Sequence, residues 1–442
     1  MTLHAHTTGR RAADRSISQG DRVPYTAEAF QNEFLALGAT EVNAIVTVAS
    51  SGADGHRTAG ATEIIIVDCS GSMQAEGRMS AARQAAKAAV KCIDDGVRFA
   101  IIAGVSTAQQ LFPAPGQLAV ASPTTRDEAV RAIDRLQASG GTAIGAWLMM
   151  AAELFAQRPG DIAHAILLTD GENGEYAGYL ERVLESIAGR FQCDCRGVGT
   201  SWQVSELRKV ATALLGTVDI VARPADLTAA FEQMMTAAMG KTSANVQLKV
   251  WTPVNATVRF VKQVEPTVVD LTGKRTEDGP RAARYPTGSW GTESRDYHIC
   301  VDVTPGAAGD EMLAARVSVV DGADVLSQCL VRAVWTDDTA LSTRINRQVA
   351  HYTGQAELAE VIQEGLEARK AGDDRTATLK LGRAAQLAAA SGNTATSELL
   401  ATVVDIEDAA TGTVRLRRKV DAADEMALDT RSTKTVRVGR TK

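Results

Sequence analysis

From Thr62 to Gly240 short apolar runs alternate with Ala- and Leu-rich stretches, and this alternation restricts the possible folds more than any other feature of the chain. The runs TEIIIVD, RFAIIAGVS, QQLFPA, AHAILLTD, CDCRGVG and VDIVA read as strands. Between them, RMSAARQAAKAAVKCIDD, TRDEAVRAIDRLQA, AIGAWLMMAAELFAQ, AGYLERVLESIAGRF, VSELRKVATALL and ADLTAAFEQMMTAAM place apolar residues three and four positions apart, as amphipathic helices do. Strands alternating with helices imply a mostly parallel sheet covered on both faces, a doubly wound, Rossmann-like α/β unit over 61–240. Thr125 followed by Glu128 predicts a capping box at the start of one of these helices.

The flanks differ in kind. Residues 1–25 are polar and aperiodic and read as a flexible leader. EVNAIVTVAS, within 26–60, predicts a strand that joins a β-sandwich rather than the parallel core. The sandwich itself is expected over 241–337, from VQLKVW, ATVRFVKQV, PTVVDL, DYHICVDV, ARVSVV and QCLVRAVW separated by turn residues. Over 338–410 the pattern becomes helical, with Leu358, Val361, Ile362 and Leu366 on one stripe and Leu379, Ala384, Leu387 and Ala388 on the next. Gly372-Asp373 and Gly392-Asn393 mark the breaks, and the segment resembles one tetratricopeptide-type hairpin in a helical end-piece. The last stretch, 411–442, mixes Arg and Lys with Thr430, Ser432, Thr433 and Thr435 and is expected to be a mobile basic tail.

The chemistry concentrates in three places within the α/β unit. The first strand ends in IIIVDCSGSM, which puts Asp68, Ser70 and Ser72 in the loop at its carboxyl end, where open parallel sheets bind ligands. Alternate spacing turns one carboxylate and two hydroxyls toward a common centre. ASGGTAIGAW places Thr142 at the mouth of a helix, and AILLTDGENG places Asp170 at the end of another strand. Hydroxyls mixed with carboxylates suit a hard cation such as Mg²⁺, which takes about six oxygens and keeps some waters.

These three pieces resemble the metal-ion-dependent adhesion site of von Willebrand factor A domains, in which an Asp-x-Ser-x-Ser loop, a distant Thr and a distant Asp share one ion. The resemblance covers 61–240. It implies that Ser70, Ser72 and Thr142 offer hydroxyl oxygens to Mg²⁺, Mn²⁺ or Ca²⁺, with Asp68 and Asp170 binding directly or through water. It also implies one open position, filled by an Asp or Glu of a protein partner. Bacterial proteins of this layout often look like parts of Ser/Thr-phosphorylation systems, so a kinase or phosphothreonine reader at the C-terminal Thr cluster is a further implication.

Composition narrows the rest. A net charge of -6 and a pI near 5.7 provide no global field for nucleic acid or anionic lipid. No apolar run reaches the roughly 18 residues of a membrane span, and none at the start suits a signal peptide. Cys69, Cys92, Cys193, Cys195, Cys300 and Cys329 are scattered, so reduced thiols in the cytoplasm are expected. His4, His6, His56, His164, His298 and His351 lack the spacing of a zinc helix, and Ser70 and Ser72 lack a nucleophile elbow. A non-enzymatic protein-interaction module follows. The alternative is the von Willebrand factor A subunit of an ATPase-driven, chelatase-like assembly; the chain has no phosphate-binding GxxxxGK[ST] loop and would depend on a separate motor. A metal-dependent hydrolase, the third reading, lacks a general base beside the metal residues.

Overall fold

The computed structural model describes residues 25–51 and 60–438. The expected leader, apart from Tyr25, lies outside the described residues, as do His4, His6 and His56.

At the centre is a seven-stranded sheet ordered Val218–Val221, Gln192–Val198, Ile162–Thr169, Ala61–Asp68, Arg98–Gly104, Ala108–Phe112, with Ala119–Val120 also on Arg98–Gly104. The first five strands run parallel and the last two antiparallel. Every residue of Ala61–Asp68 is buried, because side chains alternate across a strand and both faces are covered. Ile65 and Val67 pack with Ala82, Ala86, Ala89 and Phe231 on one face. Ile64 and Ile66 pack with Trp147, Leu148 and Ala151 on the other. Burying each such isoleucine contributes roughly 1.5–3 kcal/mol. The fold is thus the mixed α/β class expected, with a helical C-terminal region.

One close approach sets the helix that carries part of the site. The indole of Trp147 lies on Gly104, where a Cβ would come within 2.4 Å of Trp147 Cε2, and its Nε1 donates to the Val105 carbonyl at 2.8 Å. Trp147 thereby fixes the helix Ile144–Phe155 against the strand next to the central one. A second helix, Pro123–Ile133, starts two residues before the expected Thr125. Its capping box is Ser122 with Thr125, rather than Thr125 with Glu128, because Pro123 pre-sets the first helical turn one residue after Ser122.

Two antiparallel sheets form the sandwich. One is ordered Tyr25–Gln31, Glu41–Ser50, Glu293–Val303, Ala256–Glu265, Val269–Asp270. The other is ordered Thr276–Glu277, Ala282–Pro286, Val246–Trp251, Glu311–Asp321, Asp324–Thr336, with Phe34–Ala36 added parallel at its edge. The strand over 41–50 therefore sits inside the first sheet, and the α/β unit is inserted in sequence between two sandwich strands. Helices Arg347–Lys370 and Asp374–Ser391 pack through Leu358, Ile362, Leu366, Leu381, Ala384 and Ala388. Leu379, expected on that stripe, is 70% exposed; Leu381, two residues and about half a turn away, takes the inward place.

The C-terminal stretch departs most from expectation. Instead of a mobile tail, Thr413–Leu416 pairs with Val404–Asp408, and Ala422–Arg431 forms a helix with Leu428 buried. Arg431 and Lys434 pair with Asp219, Val268 N–H donates to the Thr433 carbonyl at 2.8 Å, and Arg437 pairs with Glu265. Charges that read as a solvated run are consumed by acidic partners on the α/β unit and the sandwich. Thr430 is buried and its hydroxyl donates to the Met426 carbonyl at 2.9 Å.

Candidate metal centre

All five oxygen-bearing residues singled out in the sequence meet at the carboxyl ends of the central strands. The loop after Ala61–Asp68 is clipped between its neighbours: Cys69 N–H donates to Gly104 O at 2.7 Å, Ser139 N–H to Cys69 O at 2.7 Å, and Gly71 N–H to Gly140 O at 3.0 Å. Asp68 is fully buried. Its Oδ1 accepts from Ser70 N–H at 2.7 Å and its Oδ2 from Thr169 Oγ1 at 2.5 Å. Burial raises the pKa of this carboxyl above its ordinary value, against the pull of the Ser70 and Thr169 hydrogen bonds.

Ser70 Oγ and Ser72 Oγ lie 2.9 Å apart, and Ser72 Oγ donates to Asp170 Oδ1 at 2.6 Å. Thr142 approaches from the other side. A Cβ on Gly171 would stand 3.0 Å from Thr142 Oγ1, 3.4 Å from Ser72 Oγ and 4.0 Å from Ser70 Oγ, so three hydroxyls converge where only glycine leaves them room. Ser72 is exposed whereas Asp68 and Asp170 are not, so the cluster opens to solvent at Ser72.

Thr142 owes its position to the loop after Asp170. Gly174 N–H donates to Thr142 O at 2.8 Å, and Ile144 N–H donates to Asn173 Oδ1 at 3.0 Å. The Glu175 carboxylate accepts from Gly145 N–H at 2.8 Å and Ala146 N–H at 2.9 Å. Free amides at the start of Ile144–Phe155 are thus satisfied by a neighbouring loop instead of a local cap. A cleft lined by Gly141, Ala143, Ala146, Tyr176 and Tyr179 lies beside Thr142, and Tyr176 is 67% exposed.

Three contributors were missed in the sequence. Thr169 adjoins Asp170 and was legible only as part of a buried strand; Gly171 follows Asp170 with no mark of its role. Arg78, the first residue of helix Arg78–Lys91, pairs through Nη1 with Asp170 Oδ2 at 2.8 Å, and no motif announces it.

The chemistry of this donor set fits a hard cation. Two buried carboxylates, one of them paired with the Arg78 guanidinium, stand beside hydroxyls that supply the remaining oxygens. Among the described residues, no group of three or more His, Cys, Asp or Glu side chains is arranged to hold a metal. Cys193 and Cys195 are buried free thiols with sulfurs 4.0 Å apart. His164 lies toward the amino end of its strand, bonded to Glu63 and Asp194, and His298 is buried beside Asn43.

Sequence and structure comparisons agree with this architecture. Residues 63–220 match the von Willebrand factor type A domain, and residues 386–432 match a von Willebrand factor type A C-terminal domain. A von Willebrand factor type A protein from Catenulispora acidiphila is 48% identical and superposes with a TM-score of 0.91 over 96% of this chain and 99% of its own. The chain belongs to the von Willebrand factor type A family, a family of protein-interaction modules. The ArnB paralog VWA2 from Sulfolobus acidocaldarius shares the fold, with a TM-score of 0.58 at 14% identity over 93% of this chain and 98% of its own. An uncharacterized protein of Synechocystis is 27% identical over 237 residues, 51% of this chain; the chain spans about half, 54%, of that relative's length.

Proposed function

We propose that this chain is a non-enzymatic interaction protein that binds an acidic side chain of a protein partner through one divalent cation, Mg²⁺ by preference, at a metal-ion-dependent adhesion site. The convergence of the Ser70, Ser72 and Thr142 hydroxyls beside Asp170 and above Gly171 carries this reading. When bound, the ion supplies a positive centre with a position left for an outside carboxylate. Asp68 and Asp170 provide the charge that attracts it. The three hydroxyls add oxygens without further negative charge, so the oxygens of this chain leave room in the ion's coordination for one from outside. Solvent access at Ser72 gives a partner its approach, and the cleft at Tyr176 and Tyr179 offers adjoining surface.

We place the protein in the cytoplasm. All six cysteines are free thiols, in keeping with a reducing compartment, and no helix among the described residues is long and apolar enough to cross a membrane. A role in a bacterial Ser/Thr-phosphorylation system belongs to the same proposal, with one restriction from the fold: Thr430 is buried, so a kinase would have to free the last helix before reaching it.

Equilibrium dialysis with Mn²⁺ in place of Mg²⁺ tests the centre. The wild type is expected to retain about one ion per chain and Asp170→Ala none, with both proteins giving the same circular dichroism spectrum. Retention of the ion by Asp170→Ala contradicts the proposal.

A further inference from the structure

Residues 433–438 lie in a slot between the sandwich and helix Arg347–Lys370, held as an extended peptide is held. On one side, Val268 N–H donates to the Thr433 carbonyl at 2.8 Å and Thr435 N–H to the Pro266 carbonyl at 3.1 Å, an antiparallel bridge with Lys434 opposite Thr267. On the other side the Gln355 amide takes the place of a second strand. Its Oε1 accepts from Val436 N–H at 2.8 Å, and its Nε2 donates to the Val436 carbonyl at 2.6 Å. Residues 433–436 are therefore held through their backbone, as in strand addition, and two side-chain niches follow. Arg437 lies 2.8 Å from Glu265 and 3.9 Å from Asp296, and Val438 packs on Ile45, Val264 and Tyr352.

The occupant matches this slot incompletely. Gln355, Asp296, Val264 and Tyr352 are buried, whereas no residue of 433–438 is. Asp296 is 5% exposed; its Oδ2 accepts from the Tyr352 hydroxyl, but its Oδ1 is buried without a hydrogen-bond partner, as is the Thr435 hydroxyl. Orphaned buried polar atoms are costly, and a better ligand would satisfy them. Glu265 and Asp296 also set two carboxylates against one half-exposed guanidinium, and Arg295, the other cation near Glu265, is paired with Glu293. Few buried apolar contacts and exposed ion pairs mark a segment that opens locally while the rest of the fold stays closed.

We infer that this slot is a peptide-binding site, that residues 433–438 are its displaceable internal occupant, and that its outside ligand is an extended segment of a partner protein in which an arginine precedes an aliphatic residue. A guanidinium that reaches Asp296 Oδ1 as well as Glu265 gains the bond that Arg437 leaves unmade, which is the partner's advantage over the resident segment. Lys434 pairs with Asp219, so displacement also releases one tie between the α/β unit and the sandwich.

The probe is a fluorescein-labelled peptide with the sequence of residues 431–438, RSTKTVRV, read by anisotropy against full-length protein. Thr435→Pro combined with Arg437→Ala removes the donor to Pro266 and the cation from the resident segment and leaves the slot untouched. This variant should bind the probe saturably and at least about tenfold more tightly than the wild type, whose slot is filled. Adding Asp296→Asn, or replacing the probe's arginine by alanine, should weaken that binding by about tenfold or more. No binding by a folded variant, or binding indifferent to both changes, overturns the site. Where circular dichroism shows the variant unfolded, hydrogen exchange in the wild type decides: the Thr435 and Val436 amides should exchange at least about 100-fold faster than those in the middle of Glu293–Val303. Equal protection would make the segment a fixed strand and overturn its displacement. Sedimentation of the wild type should give a monomer; a dimer that excess probe dissociates would assign the slot to a second copy and overturn the outside partner.

Discussion

At the scale of residues, the centre depends on small groups as much as on charged ones. Gly171 is the clearest case: its missing side chain is the space onto which Thr142, Ser72 and Ser70 point their hydroxyls. Gly171→Ala should leave the fold intact, since a methyl group 3.0 Å from a rotatable hydroxyl displaces that hydroxyl and not the sheet. It should nonetheless weaken Mn²⁺ retention in dialysis by about tenfold or more; unaltered retention would place the ion elsewhere. The first ligand loop, Thr142 and Asp170 were legible in the sequence because polar residues at the ends of apolar strands stand out. Thr169 and Arg78 were not. Thr169 looks like one more β-branched strand residue, and Arg78 acts at a distance of 92 residues through a pairing that only the fold creates.

Among the elements, the sheet keeps the proposed metal centre and a buried charge cluster at opposite ends. Asp68 lies at the carboxyl end of the central strand, whereas Glu63, near its amino end, is in register with His164 on the next strand. His164 Nδ1 lies 2.9 Å from Glu63 Oε2 and its Nε2 lies 3.1 Å from Asp194 Oδ2. Burial disfavours the imidazolium, but the two carboxylates outweigh it and push the pKa of His164 up from 6.5 to about 10. Its contribution to stability is therefore complete below pH 6.5 and is lost as pH rises through about 10. His164→Phe should destabilise the protein by roughly 3–5 kcal/mol, because it removes the cation that the two acids share. Urea unfolding at neutral and alkaline pH checks both points; a wild type no less stable at high pH, or a variant as stable as the wild type, contradicts them. Periodicity was sufficient to locate the strands and helices of this unit, but not the helix start at Pro123 or the inward turn of Leu381. Those depend on a proline's fixed backbone angle and on which face a second helix covers.

For the whole molecule, the α/β unit is an insertion that its surroundings hold from behind. Ser289 N–H donates to Gln192 Oε1 at 2.9 Å, and Lys274 Nζ donates to the Ala213 carbonyl at 3.3 Å, both away from the Asp68 and Asp170 loops. The last helix and the residues after it tie Asp219, Arg208 and Glu265 together, joining α/β unit and sandwich. This C-terminal course was read as mobile because its apolar residues are sparse and its partners lie hundreds of positions upstream. A braced scaffold suits the proposed role, the presentation of a metal-bearing face to a protein partner. The central claim is that the braced scaffold holds one divalent ion at Asp68, and calorimetric titration of Mg²⁺ into metal-stripped full-length protein, wild type beside Asp68→Ala, tests it most directly. Saturable binding near one ion per chain in the wild type, in the presence of acetate, and none in Asp68→Ala is the predicted result. Equal binding by both proteins, or none by the wild type with acetate present, would contradict the account.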